Sequence, residues 1–126
     1  PDQNRAGHKA RKDPLIQETQ KGKKVLGYGA STKGNVLLQF CNINTDIMPF
    51  IMERDPQKYG FVTPGTRIPI ISEEDGRRMN PDILVVFPWH FKDEIIKREK
   101  EFLLNGGTLL FPLPELTLVT KDNLLN

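Results

Sequence analysis

The chain has 126 residues, of which 37% are hydrophobic and 27% charged, and its formal net charge is +2. This size and balance predict one globular domain with a real core, and they argue against a nucleic-acid-binding surface, which needs a clustered excess of positive charge. No apolar run approaches the roughly 18 residues of a membrane span, and no signal peptide is visible. We therefore expect a cytoplasmic protein with neither a membrane nor a nucleic-acid partner.

The cysteine content limits the possible cross-links and metal sites, and the polar first residues indicate where the domain begins. Cys41 is the single cysteine, which excludes an internal disulfide and a cysteine-based zinc site. Residues 1–13 are polar and rich in basic side chains, a composition typical of a flexible tail or linker. Residues 14–126 are therefore predicted to form one domain.

The first ordered element is predicted where the sequence reads KVLGYGASTKG, at residues 24–34. It has the pattern of a buried strand, a tight glycine turn and the start of a helix. Gly27 and Gly29 can adopt backbone angles that a Cβ forbids, and Ser31 or Thr32 can cap the helix. Unpaired N–H groups and the positive end of the helix dipole then favour an anion above the turn.

This glycine pattern is only partly specific. Lys33 adds a cation at the helix start, but no glycine precedes it, so the stretch is not a Walker A loop. It also departs from the dinucleotide fingerprint, because Thr32 stands where the third glycine is expected and the next glycine is Gly34. A strand-to-helix turn without any ligand remains an open alternative.

A second strand is predicted from the apolar run at residues 46–53. A continuous apolar run suits a strand that is covered on both faces, although Pro49 favours an irregular or edge position. Glu53 ends the run. In nucleotide-binding α/β domains an acid about 20 residues beyond the glycines binds a ribose hydroxyl, and this role and a purely local one are equally compatible with the pattern.

The following loop, residues 54–66, is dense in proline and glycine and carries Lys58, Thr63 and Thr66. Long loops of α/β domains often carry function. A short strand is predicted at 67–71, after which Ser72 is expected to cap a brief helix.

In the second half of the chain, predicted strands again alternate with predicted helices. Residues 82–87 are predicted to form the clearest buried strand and residues 108–111 a further strand. Residues 92–104 predict an amphipathic helix in which Glu99 must either extend its carboxylate to solvent or lie at the margin of the apolar face. A final apolar stretch at 116–119 can add an edge strand.

Trp89 and His90 follow the strand at 82–87. His90 can donate to a phosphate or act as an acid or base, and it can equally well be a helix cap. Trp89 can stack on a base or a sugar, or close the core. No partners for a nucleophilic triad and no metal cluster are present, so no catalytic residue and no metal ligand is assigned.

The alternation of strands and helices predicts an α/β fold, a Rossmann-like three-layer αβα domain with a mostly parallel sheet of about five strands. Ligands of such sheets bind at the carboxyl ends of the strands. The segments predicted at those ends are 27–34, 53–66, 88–90 and 111–115, which are also the least regular segments of the chain.

Four motifs in this order resemble the C-terminal domain of sugar C-methyltransferases, over about residues 14–120. They are GYGASTKGN at 27–35, RDP with YG, TPGT and IPI at 54–70, PWHF at 88–91, and GG followed by PLP at 106–114. Those enzymes methylate a carbon of a nucleotide-linked deoxysugar. The resemblance implies a domain that binds the nucleotide-linked sugar, for example a thymidine-diphosphate sugar, and that binds no cofactor itself. S-adenosylmethionine and the catalytic groups would belong to an upstream methyltransferase domain of the full-length enzyme.

The resemblance implies that residues of this chain bind the substrate and do not carry out the methyl transfer. The diphosphate is expected at Gly27, Gly29, Ala30, Ser31, Lys33 and Gly34, and the nucleoside and sugar at Glu53, Lys58, Thr63, Thr66, Trp89 and His90. The alternative is a stand-alone Rossmann-like module that binds an NAD-type dinucleotide or coenzyme A, for which Glu53 and the glycine turn are also suitable. A purely structural interaction domain is the third hypothesis.

Overall fold

The centre of the domain is a six-stranded, mostly parallel sheet. The computed structural model describes residues 22–30, 32–40, 43–113 and 115–124, so the tail expected at 1–13 lies outside the described residues. The strands are β1 (Val25–Tyr28), β2 (Ile51–Glu53), β3 (Ile70–Ser72), β4 (Ile83–Val86), β5 (Thr108–Phe111) and β6 (Thr117–Val119). Their order is β3-β2-β1-β4-β5-β6. The first five are parallel, and β6 pairs antiparallel with β5.

Helices cover both faces of this sheet, which confirms the predicted α/β class. They are α1 (Thr32–Phe40), α2 (Glu73–Arg78), α3 (Lys92–Arg98), α4 (Lys100–Leu104) and α5 (Lys121–Leu124). Leu38 of α1 packs with one core cluster, whereas Ile95 of α3 and Leu103 of α4 pack with the cluster on the other face. In the described ranges no helix has the length and apolar character needed to cross a membrane.

Strand β2 is shorter than the strand that the apolar run at 46–53 predicted. The run at 46–53 forms a strand only from Ile51, because a turn precedes it. The N–H groups of Ile47 and Met48 both donate to the carbonyl of Asn44, at 3.1 and 2.9 Å. Pro49 has no N–H and cannot donate to a sheet ladder, so regular pairing begins after it.

The helix predicted at 92–104 is interrupted at Glu99. α3 ends before this residue and α4 begins after it, and the backbone of Glu99 leaves helical geometry at φ −95° and ψ 17°. The side chain is 2% exposed, so its expected position at the helix margin was wrong. Burial is possible because Arg77 of α2 reaches it, with Nη2 2.6 Å from Oε2, and buried charges require such a partner.

Candidate functional site

A cleft of about 400 Å³ opens at the edge of the sheet where β1, β2 and β4 end. Its walls come from the residues that follow these strands, from the 3-10 turn Pro56–Lys58, and from α2 and α3. β1 pairs with both β2 and β4, so the cleft lies where the strand order reverses, the usual ligand position in open α/β sheets. Of the predicted site residues, Gly29, Ala30, Glu53 and Lys58 line it.

The sequence predicted that Gly27 lies in the glycine turn. In the structure it lies inside strand β1. A Cβ added there would lie 2.7 Å from Ile51 Cγ1 and 3.0 Å from Met48 Sδ. The residue is therefore required for close packing and not for an unusual backbone angle. Gly29, with φ +82°, makes the turn.

The remaining predicted residues of the glycine stretch fall into three groups. Gly34 is buried against Phe87, whose Cγ would lie 2.7 Å from an added Cβ, so this glycine allows α1 to pack closely. Ser31 lies outside the described residues, as does Cys41. Lys33 belongs to the first turn of α1, but its side chain is not among those described. Their assignment to a diphosphate stays a prediction.

The N–H groups of Gly27 and Gly29 are already hydrogen-bonded. Gly27 donates to the carbonyl of Phe50 at 3.0 Å, and Gly29 donates to that of Met52 at 2.9 Å. These bonds join β1 to β2. A diphosphate near the turn therefore could not use these N–H groups without breaking contacts between the two strands.

Glu53 supplies the anion that the glycine turn binds in this structure. Its Oε1 accepts from the N–H of Ala30 at 3.0 Å, and its Oε2 accepts from the N–H groups of Arg54 and Asp55 at 2.7 and 3.0 Å. Lys58 Nζ lies 3.5 Å from Oε1 and 3.0 Å from the carbonyl oxygen of Ala30. The carboxylate thus ties the end of β2 to the turn after β1, and its proposed ribose contact stays a prediction.

These contacts lower the pKa of Glu53. Burial by itself acts in the opposite direction, but the N–H groups of Asp55, Ala30 and Arg54 and the charge of Lys58 together outweigh it. A carboxyl group with a depressed pKa in the folded state stabilises the fold while it is ionised.

We therefore expect Glu53→Gln to change the pH dependence of stability. The stabilisation is fully present above the ordinary pKa of 4.5 and is lost as the pH falls through the lower pKa of the folded state. Unfolding by urea at pH 7 and at stepwise lower pH should show the variant to be less stable at pH 7, with the difference shrinking towards acid pH. The exposed Glu101→Gln is the matched control. A constant difference at every pH would contradict this role.

Thr63 and Thr66 do not line the cleft; they hold the loop between β2 and β3 against α1. The buried Thr63 Oγ1 accepts from the N–H of Ile68 at 2.9 Å and shares a short hydrogen bond with the Thr66 hydroxyl. Thr66 in turn donates to Asn35 Oδ1 at 3.4 Å. Their contact with a nucleoside stays a prediction, whereas their part in fixing the loop is visible in these hydrogen bonds.

Trp89 and His90 lie beside the cleft and not in its wall. Their rings are stacked, with centroids 3.9 Å apart, in a 3-10 turn that precedes α3. Trp89 packs partly on the core and His90 is exposed. The cleft receives Pro88 and Phe91 from this segment instead, and the contact of Trp89 and His90 with a nucleoside or sugar stays a prediction.

Sequence reasoning missed polar and charged side chains that line the cleft, above all Tyr28, Arg54, Glu73 and Arg98. Arg98 follows the buried Ile95 by one helical turn, so it shares the inward edge of α3, and this spacing was the available signal. The other three side chains come from different parts of the chain: Tyr28 from β1, Arg54 from the loop after β2, and Glu73 from α2. Within the described ranges, no three His, Cys, Asp or Glu side chains group into a metal site, and the cleft combines apolar walls with charges of both signs.

The fold and the cleft define a Rossmann-like α/β domain with a ligand-sized opening at the strand ends. Residues 5–114 match the family described as the C-methyltransferase C-terminal domain, and the chain belongs to this family. It is 40% identical over 104 residues to C-methyltransferase NovU of Streptomyces niveus, a match that covers 82% of this chain and 25% of that relative. The chain thus spans about a quarter of the length of the curated relative it matches, and the family resemblance read from the sequence is confirmed.

Proposed function

We propose that this domain binds the nucleotide-linked sugar substrate of a C-methyltransferase, and that S-adenosylmethionine and the catalytic groups belong to another domain of the same enzyme. The observation that carries the proposal is the cleft at the strand ends. Its volume of about 400 Å³ falls in the range of small-ligand sites, roughly 300–1,000 Å³. Membership in the C-terminal domain family of C-methyltransferases gives the class of enzyme.

The chemistry of the cleft wall supports a nucleotide-linked sugar as ligand. Phe91 and Ile95 supply an apolar surface that suits a base or a sugar face, and Arg54 and Arg98 supply positive charge that suits a diphosphate. Gly29 lines the cleft in a turn at φ +82°, so backbone atoms form this part of the wall. A nucleotide-linked sugar combines these apolar, polar and anionic parts in one molecule.

A role in binding rather than in bond making is supported by the contacts of two cleft carboxylates, Glu53 and Glu73. Glu53 accepts hydrogen bonds from three backbone N–H groups, and Glu73 is paired with Arg77 at 3.1 Å and with Arg54 at 3.7 Å. A general base needs a lone pair directed at its substrate, whereas these groups are engaged in holding the cleft together. The domain would therefore hold and orient the sugar for a methyltransferase domain.

The proposal is tested by an amide chemical-shift titration of this chain with thymidine diphosphate, S-adenosylmethionine and NAD in parallel. We expect thymidine diphosphate to shift the amides of Gly29, Ala30 and Arg98, while S-adenosylmethionine and NAD leave them in place. Amides at 105–107, which line a separate depression, are the internal control. Shifts with NAD alone would favour the dinucleotide module, and silence with thymidine diphosphate would contradict the proposal.

A further inference from the structure

The guanidinium of Arg98 faces the cleft. A hydrogen bond holds its orientation, but no carboxylate among the described residues neutralises its charge. It is the last residue of α3 and lines the cleft. Its Nη1 donates to Tyr28 Oη at 2.9 Å. Across the described residues, this hydroxyl is its hydrogen-bonding partner, and no carboxylate lies within ion-pair distance. A guanidinium has several N–H donors in a rigid plane, so donors remain for a ligand.

Glu99 and Glu73, two of the carboxylates near Arg98, are paired with another arginine, Arg77. Glu99 Oε2 lies 2.6 Å from Arg77 Nη2 and 3.4 Å from the Tyr28 hydroxyl. Arg77 also bonds Glu73. A continuous chain of contacts therefore runs from Arg98 through Tyr28 and Glu99 to Arg77. Because Tyr28 and Glu99 are buried, their positions are fixed by packing, and a satisfied buried network rigidifies its members.

The other cations of the cleft are less free to bind an anion. Lys58 donates to the carbonyl oxygen of Ala30 and approaches Glu53, and Arg54 approaches Glu73 at 3.7 Å. Among the cleft cations that the structure describes, Arg98 is thus the one whose recorded partner is neutral. A planar guanidinium can donate two parallel hydrogen bonds to a phosphate, which makes it a strong and geometrically specific phosphate ligand.

We infer that Arg98 binds the diphosphate of the ligand, and that Tyr28, Glu99 and Arg77 are positioning residues that hold its guanidinium at the cleft. The inference rests on the proposed function and assigns the charged contact within it. Glu94 also lines the cleft, one turn before Arg98, and its carboxylate opposes an anion. The two side chains therefore give tests of opposite sign.

The experiment measures the affinity of this chain for thymidine diphosphate and for thymidine by isothermal titration calorimetry. Arg98→Gln should weaken thymidine diphosphate binding by about 10- to 100-fold, the loss of a charged hydrogen-bonding group, and leave thymidine binding unchanged. Lys97→Gln makes the same change of charge at the neighbouring exposed residue, which does not line the cleft, and should change neither affinity. Glu94→Gln should tighten thymidine diphosphate binding.

Tyr28→Phe tests the positioning role. It should weaken thymidine diphosphate binding by about three- to tenfold, the effect of one lost hydrogen bond, and should have no further effect in an Arg98→Gln background. A merely structural role of Tyr28 would instead lower the affinity for thymidine as well and add to Arg98→Gln.

The outcomes separate the inference from the proposed function. If the unchanged chain binds thymidine diphosphate and Arg98→Gln binds it equally well, or loses thymidine to the same extent, the assignment of Arg98 is overturned and the proposed function stands. If the unchanged chain binds neither compound, both fall. Weakening confined to thymidine diphosphate supports the assignment.

Discussion

Replacing Arg77 by methionine is expected to lower the free energy of unfolding by about 3–5 kcal/mol, the cost of leaving one partner of a buried ion pair uncompensated. Glu99 is 2% exposed, and its shortest contact is the 2.6 Å bond from Arg77. Without that arginine, the 3.4 Å contact with the Tyr28 hydroxyl is the hydrogen bond that remains to this carboxylate among the described residues.

Replacing the other partner of this ion pair, Glu99, should lower the free energy of unfolding by less. Glu99→Gln leaves Arg77, whose side chain is 34% exposed and can be solvated, so we expect a loss of about 1–3 kcal/mol. The double variant Arg77→Met/Glu99→Leu should recover part of the loss, because apolar replacement of a whole buried pair is often nearly neutral.

Urea unfolding followed by fluorescence or circular dichroism measures these differences. Arg78→Met is the matched control, since Arg78 lies next to Arg77 but forms its ion pairs with Glu74 and Asp75 at the surface. Such pairs contribute about 0–1 kcal/mol. Equal losses for Arg77→Met and Arg78→Met would show that burial of Glu99 does not govern the stability of this region.

Gly27→Ala is expected to cost about 2–3 kcal/mol, because overpacking a tight core forces neighbours out of their rotamers. β1 lies in the middle of the sheet between β2 and β4, so it has little room to move. The new methyl group would lie 2.7 Å from Ile51 Cγ1 and 3.0 Å from Met48 Sδ.

A double-mutant cycle with Ile51→Ala isolates this packing effect. The second substitution removes the atom nearest to the new methyl group, so Gly27→Ala should cost less in that background, with a coupling of about 1 kcal/mol. If Gly27 acted as a ligand-binding residue instead, Gly27→Ala would weaken thymidine diphosphate binding while leaving stability intact. That pattern would contradict the packing role.

Several features of the fold follow from local sequence alone. The apolar runs at 82–87 and 108–111 contain β4 and β5, because a strand buried on both faces requires a continuous apolar segment. Ser72 caps α2 by accepting from the N–H of Asp75 at 3.0 Å, as its position before three acidic residues predicted. The four motifs also identified the family. A family resemblance depends on which residues occur in which order, so it can be recognised without knowing their contacts.

What the sequence by itself determined is therefore the α/β class, the order of the elements, the edge of the sheet that carries the cleft, and the family. The tertiary structure decided which side chains meet there. Glu99 is buried because Arg77 reaches it from another helix, and Glu53 is engaged because a turn distant in sequence donates to it. Arg98 enters the cleft because β1 supplies Tyr28 as its partner. Periodicity and local pattern carry no record of such pairings, since the free energy of a charged or buried group depends on partners that only the fold brings within hydrogen-bonding distance.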